Sequence, residues 1–317
     1  MSGIYTKKCV DDVWDSSEGA LPYKLQRIAE EELGETSAKR KESLERLSEL
    51  LEGFSRHFTA ETEVNSQRDP AFLLRFLRVR KYDVESALRT IRNYYRSRVI
   101  SASSYQELLP SRVPPAARNL VMTLADTDRH GRLILLCRPG IWVPEELPYA
   151  DFHRACLLCL EQMALNPVAQ TSGIVLLVDY AEFTADKILS VNIGLVRKAL
   201  GYVQDGMPMR LKAVHIVRQS YAFDMVFALF KPFIKAKMAE RYRFHGENFE
   251  KLHEEIPPSA LPVEYAGQGP PLDFEAYWRQ LDQQEEFLAH ENTFGYATEN
   301  KDDMLAECDT PRDLNTF

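Results

Sequence analysis

The spacing of hydrophobic residues along the chain changes near residue 100, and this change separates two regions. Before it, apolar residues recur every three or four positions, as at Leu44, Leu47 and Leu51, which is the spacing of an amphipathic helix. After it, short apolar runs alternate with helical stretches, a pattern typical of an α/β sheet with parallel strands. We therefore predict an all-helical domain over residues 21–100 and an α/β domain with a mixed, mainly parallel sheet over residues 110–271.

Local signals place several elements within these regions. Asp69 precedes Pro70 and a run of apolar and basic residues, and Asp83 precedes a second such run. Both positions predict helix starts, because aspartate is a good N-cap and proline is tolerated at the first helical position. The uninterrupted apolar run Gly173–Tyr180 predicts a central strand that is buried on both faces. Asp179 at its end is expected to anchor a loop rather than to act in catalysis.

The segment Ala222–Glu240 combines two properties that are seldom found together. It is apolar nearly all round from Phe223 to Ile234, and basic side chains follow, including Lys237 and Arg241. A helix that is apolar on every side lies in a protein core or against lipid. Basic residues at its end favour an anionic surface. This combination points to a protein that handles a lipid.

The two ends of the chain lack the pattern of a core. Residues 1–20 are predicted to be disordered. Residues 272–317 carry three basic and twelve acidic side chains, and after one amphipathic patch at Phe274–Leu281 we predict a largely disordered acidic tail. The patch Asp302–Leu305 within it is a candidate contact for a protein partner.

Charge is segregated along the chain, whose net charge is −8. The acidic total argues against binding to nucleic acid. Residues 68–98 nevertheless carry nine basic and three acidic side chains, and residues 207–243 carry eight and two. Two cationic segments on an acidic protein indicate a local anionic target, such as phosphoinositide headgroups. The alternative is that they are ordinary solvated charges on helices.

Several classes of protein are disfavoured by what the sequence lacks. No apolar run reaches the roughly 20 residues that cross a bilayer, and the N-terminus lacks the apolar core of a signal peptide. Five scattered cysteines are typical of a reduced, cytoplasmic protein. Cys156 and Cys159 have metal-ligand spacing, but no second pair completes a site, so no metal is expected. Without a Gly-x-Ser-x-Gly, G-x-G-x-x-G or P-loop motif, we predict no enzymatic activity and no cofactor.

Segments of the chain resemble, in order, the CRAL-TRIO family of lipid-transfer proteins over roughly residues 20–269. Within that family the chain is most similar to the α-tocopherol transfer protein, retinaldehyde-binding protein and clavesin branch. The segments that carry the resemblance are Asp69–Asp83, Asp128–Arg132, Gly173–Asp179, Gln204–Pro208, Phe230–Phe233, His245–Gly246 and Leu261–Tyr265.

The resemblance implies a helical cap and a lipid-binding domain whose cavity is closed by a mobile helical gate, Tyr221–Arg241. Pro232 would remove a hydrogen bond within this helix, which costs about 3 kcal/mol, and we predict that it is the hinge of the gate. The alternative is that Pro232 ends one helix and begins another. The cavity is predicted to be lined by apolar residues of the α/β domain, including four from the gate. These lining residues are Cys156, Leu157, Leu160, Ile174, Leu176, Val178, Leu195, Phe223, Val226, Phe227 and Phe230.

The branch also resembles proteins that open on phosphoinositides through a basic cleft. Arginine suits such a cleft because its guanidinium binds phosphate oxygens in pairs. Lys237 and Arg241 are four residues apart and are expected to share a helix face. The resemblance places the cleft on Arg210, Lys212, Lys237 and Arg241, with Arg78 or Arg80 from the helical domain.

Two departures from the branch make the expected cavity less polar. Cys156 and Leu160 stand where the tocopherol-binding member has serines, and Val178 stands where the retinaldehyde-binding member has an important carboxylate. Neither vitamin E nor retinal is therefore assumed as the ligand.

Two functions are compatible with the resemblance. The first is a cytoplasmic carrier of a small hydrophobic ligand that associates transiently with phosphoinositide-containing membranes, such as those of endosomes. The second is a phosphoinositide-binding trafficking adaptor, in which the cavity lipid is structural and the acidic tail recruits a protein partner.

Overall fold

A computed structural model describes residues 21, 23–57 and 64–296 of the chain. The predicted disordered segment 1–20 and the patch Asp302–Leu305 lie outside the described residues. The helices are α1 Tyr23–Ile28, α2 Ser37–His57, α3 Pro70–Val79, α4 Val84–Ile100, α5 Ala102–Tyr105, α6 Pro115–Arg118, α7 Tyr149–Leu165, α8 Pro167–Ser172, α9 Ala185–Ser190, α10 Ile193–Gly201, α11 Tyr221–Phe230, α12 Ala236–Ala239, α13 Phe249–Glu255, α14 Phe274–Asp282 and α15 Glu285–Glu291. The strands are β1 Val64–Asn65, β2 Val121–Thr127, β3 Leu133–Cys137, β4 Ile174–Asp179, β5 Leu211–Val217, β6 Tyr242–Gly246 and β7 Gly295–Tyr296.

Both predicted helix starts in the first domain are confirmed. The carboxylate of Asp69 accepts a hydrogen bond from the backbone N–H of Ala71 at 3.0 Å, and Pro70 is the first residue of α3. The carboxylate of Asp83 accepts one from the N–H of Ser86 at 2.9 Å, at the start of α4. These bonds satisfy donors that the first turn of a helix leaves unpaired.

An aromatic cluster joins α3 to α4 in the core of the helical domain. The rings of Phe72 and Phe76 lie 6.1 Å and 5.5 Å from that of Tyr94, and Phe72 stacks on Tyr95 at 6.1 Å. All four side chains are almost completely buried. Such pairs add to the burial of apolar surface, so this cluster holds the helical domain together.

The sheet has five strands in the order β2-β3-β4-β5-β6. The pair β2–β3 is antiparallel, whereas the remaining three pairs are parallel. This confirms the predicted α/β fold with a mixed, mainly parallel sheet. In the register of the central strands, Leu176 stands beside Val214 and Val178 beside Ile216, which aligns apolar side chains on one face.

Glycine is required immediately before β4. Gly173 has φ of 86°, and a Cβ placed on it would lie 2.5 Å from the carbonyl oxygen of Arg210. That close approach lets the N–H of Ile174 donate to the same carbonyl at 2.9 Å. The start of β4 is thereby tied to the residue that precedes β5.

Two segments that the hydrophobic pattern predicts as single helices are divided. The hydrophobic pattern over residues 184–204 favours one helix, but the segment is formed by α9, α10 and a π-helical turn, Tyr202–Gly206. Asn192 begins α10, because its side-chain oxygen accepts a hydrogen bond from the N–H of Leu195 at 3.1 Å. The predicted gate consists of α11, a 3₁₀ turn at Lys231–Phe233 and the short helix α12.

The chain remains folded beyond residue 272, where the sequence analysis expects a largely disordered tail. The amphipathic patch forms α14, whose Tyr277, Trp278 and Leu281 are buried. Trp278 Nε1 donates to the carbonyl of Arg118 at 2.7 Å, and β7 pairs with β1. The expectation of disorder is wrong for residues 282–296, which follow the predicted patch, because their net acidity did not reveal α15 and the pairing of β7. Among the described helices, none has the length and apolar character that crossing a membrane requires.

Candidate ligand cavity and basic cluster

A cavity of about 280 Å³ lies between the sheet and the helices α10 and α11. Its lining is apolar or aromatic throughout, and it includes no charged side chain among the residues that the structure describes. The residues that line it are Cys137, Pro139, Trp142, Tyr149, Phe152, Leu176, Val178, Tyr180, Phe183, Val191, Val196, Ala199, Leu200, Val203, Leu211, Val214, Ile216, Phe223, Val226, Phe227, Phe230, Ile234 and Tyr242.

The floor of the cavity comes from alternate residues of the central strands. Leu176 and Val178 of β4 and their neighbours Val214 and Ile216 of β5 all face it. Successive residues of a strand point to opposite faces, so the parallel register brings these four side chains onto one surface.

The wall formed by α10 follows the helical period. Its lining residues Val196, Ala199 and Leu200, with Val203 just beyond, are spaced by three or four positions. No residue of α10 is fully buried. Because its apolar stripe borders a cavity and not a filled core, this helix covers the cavity without being packed tightly against the sheet.

An aromatic cluster closes the side of the cavity next to α11. Phe223 and Phe227 have ring centroids 5.6 Å apart. Phe223 contacts Tyr180 at 4.4 Å, and Phe227 contacts Tyr242 at 5.5 Å and Phe244 at 5.3 Å. The position of α11 is therefore coupled to the edge strand β6, which carries Tyr242 and Phe244.

Tyrosine hydroxyls are the main polar groups of the lining. Burial raises the pKa of Tyr149 and Tyr180, with smaller contributions from neighbouring ionisable groups, and it raises the pKa of Tyr242 to about 12. These phenols are therefore neutral at physiological pH. They can donate or accept a hydrogen bond, but they cannot neutralise a charged ligand.

The predicted lining residues divide into two groups. Leu176, Val178, Phe223, Val226, Phe227 and Phe230 lie in the lining, whereas Cys156, Leu157, Leu160, Ile174 and Leu195 do not.

The second group fails for identifiable reasons. Leu157, Leu160 and Ile174 are buried in the filled core, and Leu195 is off the stripe of α10 that begins at Val196. Cys156 lies next to the cavity but does not line it; its neighbour Cys137 does. The contact between the two thiols, together with burial, raises the pKa of Cys156.

The cavity also includes residues that the sequence analysis missed. Val214 and Ile216 alternate along the apolar run that forms β5, and Val196, Leu200 and Val203 follow a helical stripe. Those periods were readable in the sequence. The register of β4 against β5, and the helix that covers them, were needed to join the two patterns.

Pro232 lies in the 3₁₀ turn Lys231–Phe233, between α11 and α12. The carbonyl of Lys231 accepts a hydrogen bond from the N–H of Ile234 at 3.1 Å. Pro232 thus lies at the start of a new element, as in the alternative considered above. It does not lie within one continuous helix, where it could act as a hinge.

Three of the predicted cleft cations, Arg210, Lys212 and Arg241, form one basic cluster. Burial lowers the pKa of Lys212 and of Arg241, and in each case the charge of Arg210 lowers it further. Arg210 Nη1 and Lys212 Nζ both contact Glu32 Oε2, at 3.0 Å and 3.3 Å. Glu32 was not identified from the sequence, because it lies on the N-terminal segment, far from both partners along the chain.

The remaining cleft predictions have different outcomes. Lys237 is exposed, but Lys237 and Arg241 do not share a helix, since α12 ends at Ala239. Arg80 Nε donates to Thr90 Oγ1 at 2.6 Å.

Arg78 is not available to a headgroup. Its side chain is 4% exposed, and its Nε and Nη2 donate to the two carboxylate oxygens of Glu35 at 2.9 Å each. Its Nη1 donates to Gln170 Oε1 at 2.6 Å. The prediction for Arg78 is therefore wrong: the guanidinium joins α3 to α8 and to the N-terminal segment.

Asp179 anchors loops, as expected. Its carboxylate accepts hydrogen bonds from the N–H of Ala181 at 2.9 Å, from Arg218 Nε at 3.0 Å and from the Tyr265 hydroxyl at 3.0 Å. Burial opposes ionisation of Asp179, but the hydrogen bond from Arg218 and the others hold its pKa below the ordinary value. A carboxylate held in this way is positioned to stabilise the fold.

Comparison with known proteins places this geometry in a family. The family model for the CRAL/TRIO domain matches residues 117–267. "Alpha-tocopherol transfer protein-like" of Homo sapiens is 36% identical over 232 residues, which are 73% of this chain and 66% of that protein. "Clavesin-1" of Xenopus laevis is 32% identical over 218 residues, 67% of this chain and 65% of that protein. The chain thus spans about two thirds of the length of these relatives.

Among solved structures, the crystal structure of Sfh5 covers 80% of this chain and 98% of its own, with a TM-score of 0.49 and 12% sequence identity. That likeness is too distant to support an argument about the site. The family match covers β2 to β6 and the cavity between the sheet and α11, and the relatives extend it along most of the chain. The chain belongs to the CRAL/TRIO family, in the branch that includes alpha-tocopherol transfer protein-like and clavesin proteins.

Proposed function

We propose that the protein is a carrier that binds an uncharged, mainly apolar lipid in the cavity and presents it at phosphoinositide-containing membranes. The observation that carries the proposal is the uninterrupted apolar and aromatic lining, without a charged side chain among the described residues. The names of the relatives, one of which refers to tocopherol transfer, agree with a lipid ligand. The role is that of a carrier and not of an enzyme.

The chemistry of the lining limits the ligand class. A buried carboxylate or phosphate requires a cationic partner, and the lining supplies none. Its phenols, at Tyr149, Tyr180 and Tyr242, suit a hydroxyl, a carbonyl or an ether. A cavity of about 280 Å³ is at the lower end of small-molecule pockets, so a long lipid requires α10 or α11 to move outwards.

The helix α11 has apolar side chains on two sides. Phe223, Phe227 and Phe230 line the cavity on one side, whereas Met225 and Leu229 are about half exposed on the other. Burying apolar surface is worth about 25 cal/mol per Å². If α11 lies against a membrane, its outer side chains lose contact with water, and outward movement of α11 then opens the cavity towards the acyl chains.

The basic cluster and the exposed Lys237 supply the electrostatic part of the proposal. Within the part of the chain that the structure describes, no acidic side chain forms an ion pair with Arg241 or Lys237. Each basic residue near an anionic membrane contributes about 1 kcal/mol. Both residues follow the 3₁₀ turn after α11, so attraction to a phosphoinositide brings the helix to the same membrane.

The first experiment tests the cavity with matched variants on one helix. Phe227→Asp places a charge in the lining, whereas Tyr221→Asp places one on a side chain that is 79% exposed. We expect the full chain carrying Phe227→Asp to lose binding of a fluorescent retinoid or tocopherol analogue, while Tyr221→Asp retains it. Equal binding by the two variants, with unchanged circular dichroism, would remove the cavity from the proposal.

The second experiment separates the carrier from an adaptor. Replacing Lys237 and Arg241 together by alanine is expected to weaken binding to phosphoinositide vesicles and to make that binding less dependent on salt. Retention of the fluorescent analogue should be unchanged. Transfer of the analogue from donor to acceptor vesicles supports the carrier. Vesicle binding without transfer, together with capture of a partner through residues 297–317, supports the adaptor, in which the lipid is structural.

A further inference from the structure

We propose that Glu32 is an internal competitor of the membrane headgroup. In the free protein its carboxylate occupies the basic cluster, and a polyanionic headgroup must displace it in order to bind. The proposal rests on the function proposed above for Arg210, Lys212 and Arg241, and it adds a segment of the chain that regulates access to them.

The contact is that of an anion held between two cations. One oxygen of Glu32, Oε2, lies 3.0 Å from Arg210 Nη1 and 3.3 Å from Lys212 Nζ. Partial burial favours the protonated form of Glu32, but the charge of Lys212, together with the hydrogen bond and charge of Arg210, keeps its pKa below the ordinary value. The carboxylate is therefore ionised at physiological pH, as a phosphate in the same position would be.

The segment that carries Glu32 is fixed at both ends. On both sides of Glu32, Leu25, Ala29 and Leu33 form a small buried cluster against Val168. Glu32 itself belongs to the π-helical turn Ala29–Leu33.

After that turn, Gly34 adopts a left-handed conformation with φ of 66°, which glycine allows without strain. Its N–H donates to the carbonyl of Glu30 at 3.1 Å. The next residue, Glu35, is held by the buried guanidinium of Arg78. Glu32 is thus placed on the cluster by the fold and is not a freely moving side chain.

The cluster retains binding capacity after it has paired with Glu32. Arg210 Nε is buried and has no hydrogen-bond partner in the part of the chain that the structure describes. Arg241 has no acidic partner there either. Glu32 therefore pairs with only two of the three cations of the cluster, so a headgroup with several phosphate charges can form more ion pairs than Glu32 does.

Displacement is accessible because Glu32 is only partly enclosed. Its side chain is 47% exposed, compared with 11% for Arg210. Ion pairs of this exposure are weak in water, so the carboxylate can leave without unfolding the segment. A headgroup with a single charge gains little by replacing one carboxylate with another anion. With Glu32 in place, the basic cluster therefore binds polyphosphorylated headgroups in preference to singly charged lipids such as phosphatidylserine.

The test compares Glu32→Gln with Glu31→Gln. Both variants remove one negative charge from the same turn, but Glu31 pairs with the exposed Arg27 and not with the cluster. Binding of the full chain is measured to neutral vesicles containing phosphatidylinositol bisphosphate, to vesicles of equal charge density made with phosphatidylserine, and to soluble inositol trisphosphate.

We expect Glu32→Gln to tighten binding to bisphosphate vesicles by about fivefold, the effect of about one elementary charge near an anionic surface. We expect a larger relative gain on phosphatidylserine vesicles, since the wild-type carboxylate excludes single charges. If Glu32→Gln also binds soluble inositol trisphosphate more tightly, the effect belongs to the headgroup site. If it binds only the vesicles more tightly, the effect belongs to the membrane surface and the proposal is overturned. Equal binding by Glu32→Gln and Glu31→Gln also overturns it.

Side-chain NMR in the absence of vesicles keeps this proposal distinct from the proposed function. Glu32→Gln is expected to shift the side-chain resonances of Arg210 and Lys212, whereas Glu31→Gln leaves them unchanged. Equal spectra of these side chains in the two variants would show that Glu32 does not occupy the cluster. If the resonances respond as expected but wild type and variant alike fail to bind phosphoinositides, the contact exists and the function proposed for the cluster is the part that fails.

Discussion

The buried guanidinium of Arg78 offers a quantitative test of the structure, because the family resemblance places Arg78 or Arg80 in a membrane-binding cleft. In the fold, Arg78 makes two hydrogen bonds of 2.9 Å to Glu35 and one of 2.6 Å to Gln170. The Arg78 and Glu35 side chains are 4% and 5% exposed. Replacing Arg78 by alanine leaves a carboxylate that water reaches poorly.

The expected loss follows from this burial. Removing one partner of a buried ion pair costs about 3–5 kcal/mol, since the remaining charge is left uncompensated. Arg40 Nη1 lies 3.7 Å from the same carboxylate and offers partial compensation, so we expect a loss of about 3 kcal/mol in the free energy of unfolding. The exposed pair Arg27–Glu31, with side chains 67% and 65% exposed, is the control and should cost about 1 kcal/mol or less.

Equilibrium unfolding in urea, followed by circular dichroism, measures both variants. Arg78→Met combined with Glu35→Leu should recover most of the lost stability, because it removes both charges and fills the volume with apolar side chains. If Arg78→Ala costs no more than Arg27→Ala, the pair is not buried as described. If instead it is stable but binds phosphoinositide vesicles poorly, Arg78 serves the membrane after all.

Three further predictions concern pH and backbone. Burial lowers the pKa of His215 to about 3 and also lowers that of His245, which it contacts at 3.0 Å. The stability that neutral His215 contributes is therefore fully present above the unfolded histidine pKa of about 6.5 and is lost as pH falls, by about 2 kcal/mol between pH 6.5 and 5. Urea unfolding at several pH values should show that His215→Asn has a smaller slope of unfolding free energy against pH than wild type. A flat wild-type profile contradicts the prediction. Pro232→Ala should leave stopped-flow ligand transfer within error of wild type, because Pro232 lies in the first positions of a 3₁₀ turn; markedly slower transfer would restore the hinge. Gly173→Ala should destabilise the fold by at least about 1 kcal/mol in thermal unfolding, since its positive φ and the Arg210 carbonyl leave no room for a Cβ; wild-type stability would refute that contact.

The sequence by itself was sufficient for features that depend on neighbours along the chain. Asp69 and Asp83 cap the helices that they precede, because an N-cap bond spans only two or three residues. The apolar run at β4 predicted a central strand, since a strand covered on both faces needs no polar side. These local rules, with the order of the family segments, were enough for the α/β fold and for the gate aromatics Phe223 and Phe227.

Hydrophobic pattern reports whether a side chain avoids water, but not whether the space beside it is filled. Ile174 and Leu176 are both branched aliphatic residues of equal size and lie two positions apart on β4, yet only Leu176 borders the cavity. The difference arises from what covers each residue: packed core in one place, and the loosely seated α10 in the other. Only the tertiary structure decided which apolar residues form a binding surface.

Charge pattern is limited in a similar way, because it counts cations without showing their partners. Arg78 and Arg210 both looked available for a headgroup. Arg78 is neutralised by Glu35, 43 residues away, and Arg210 is paired with Glu32, 178 residues away. Electrostatic attraction acts over distances in space and not along the chain, so the folding of residues 23–35 onto α8 and β5 determined which cations remain free for an anionic membrane.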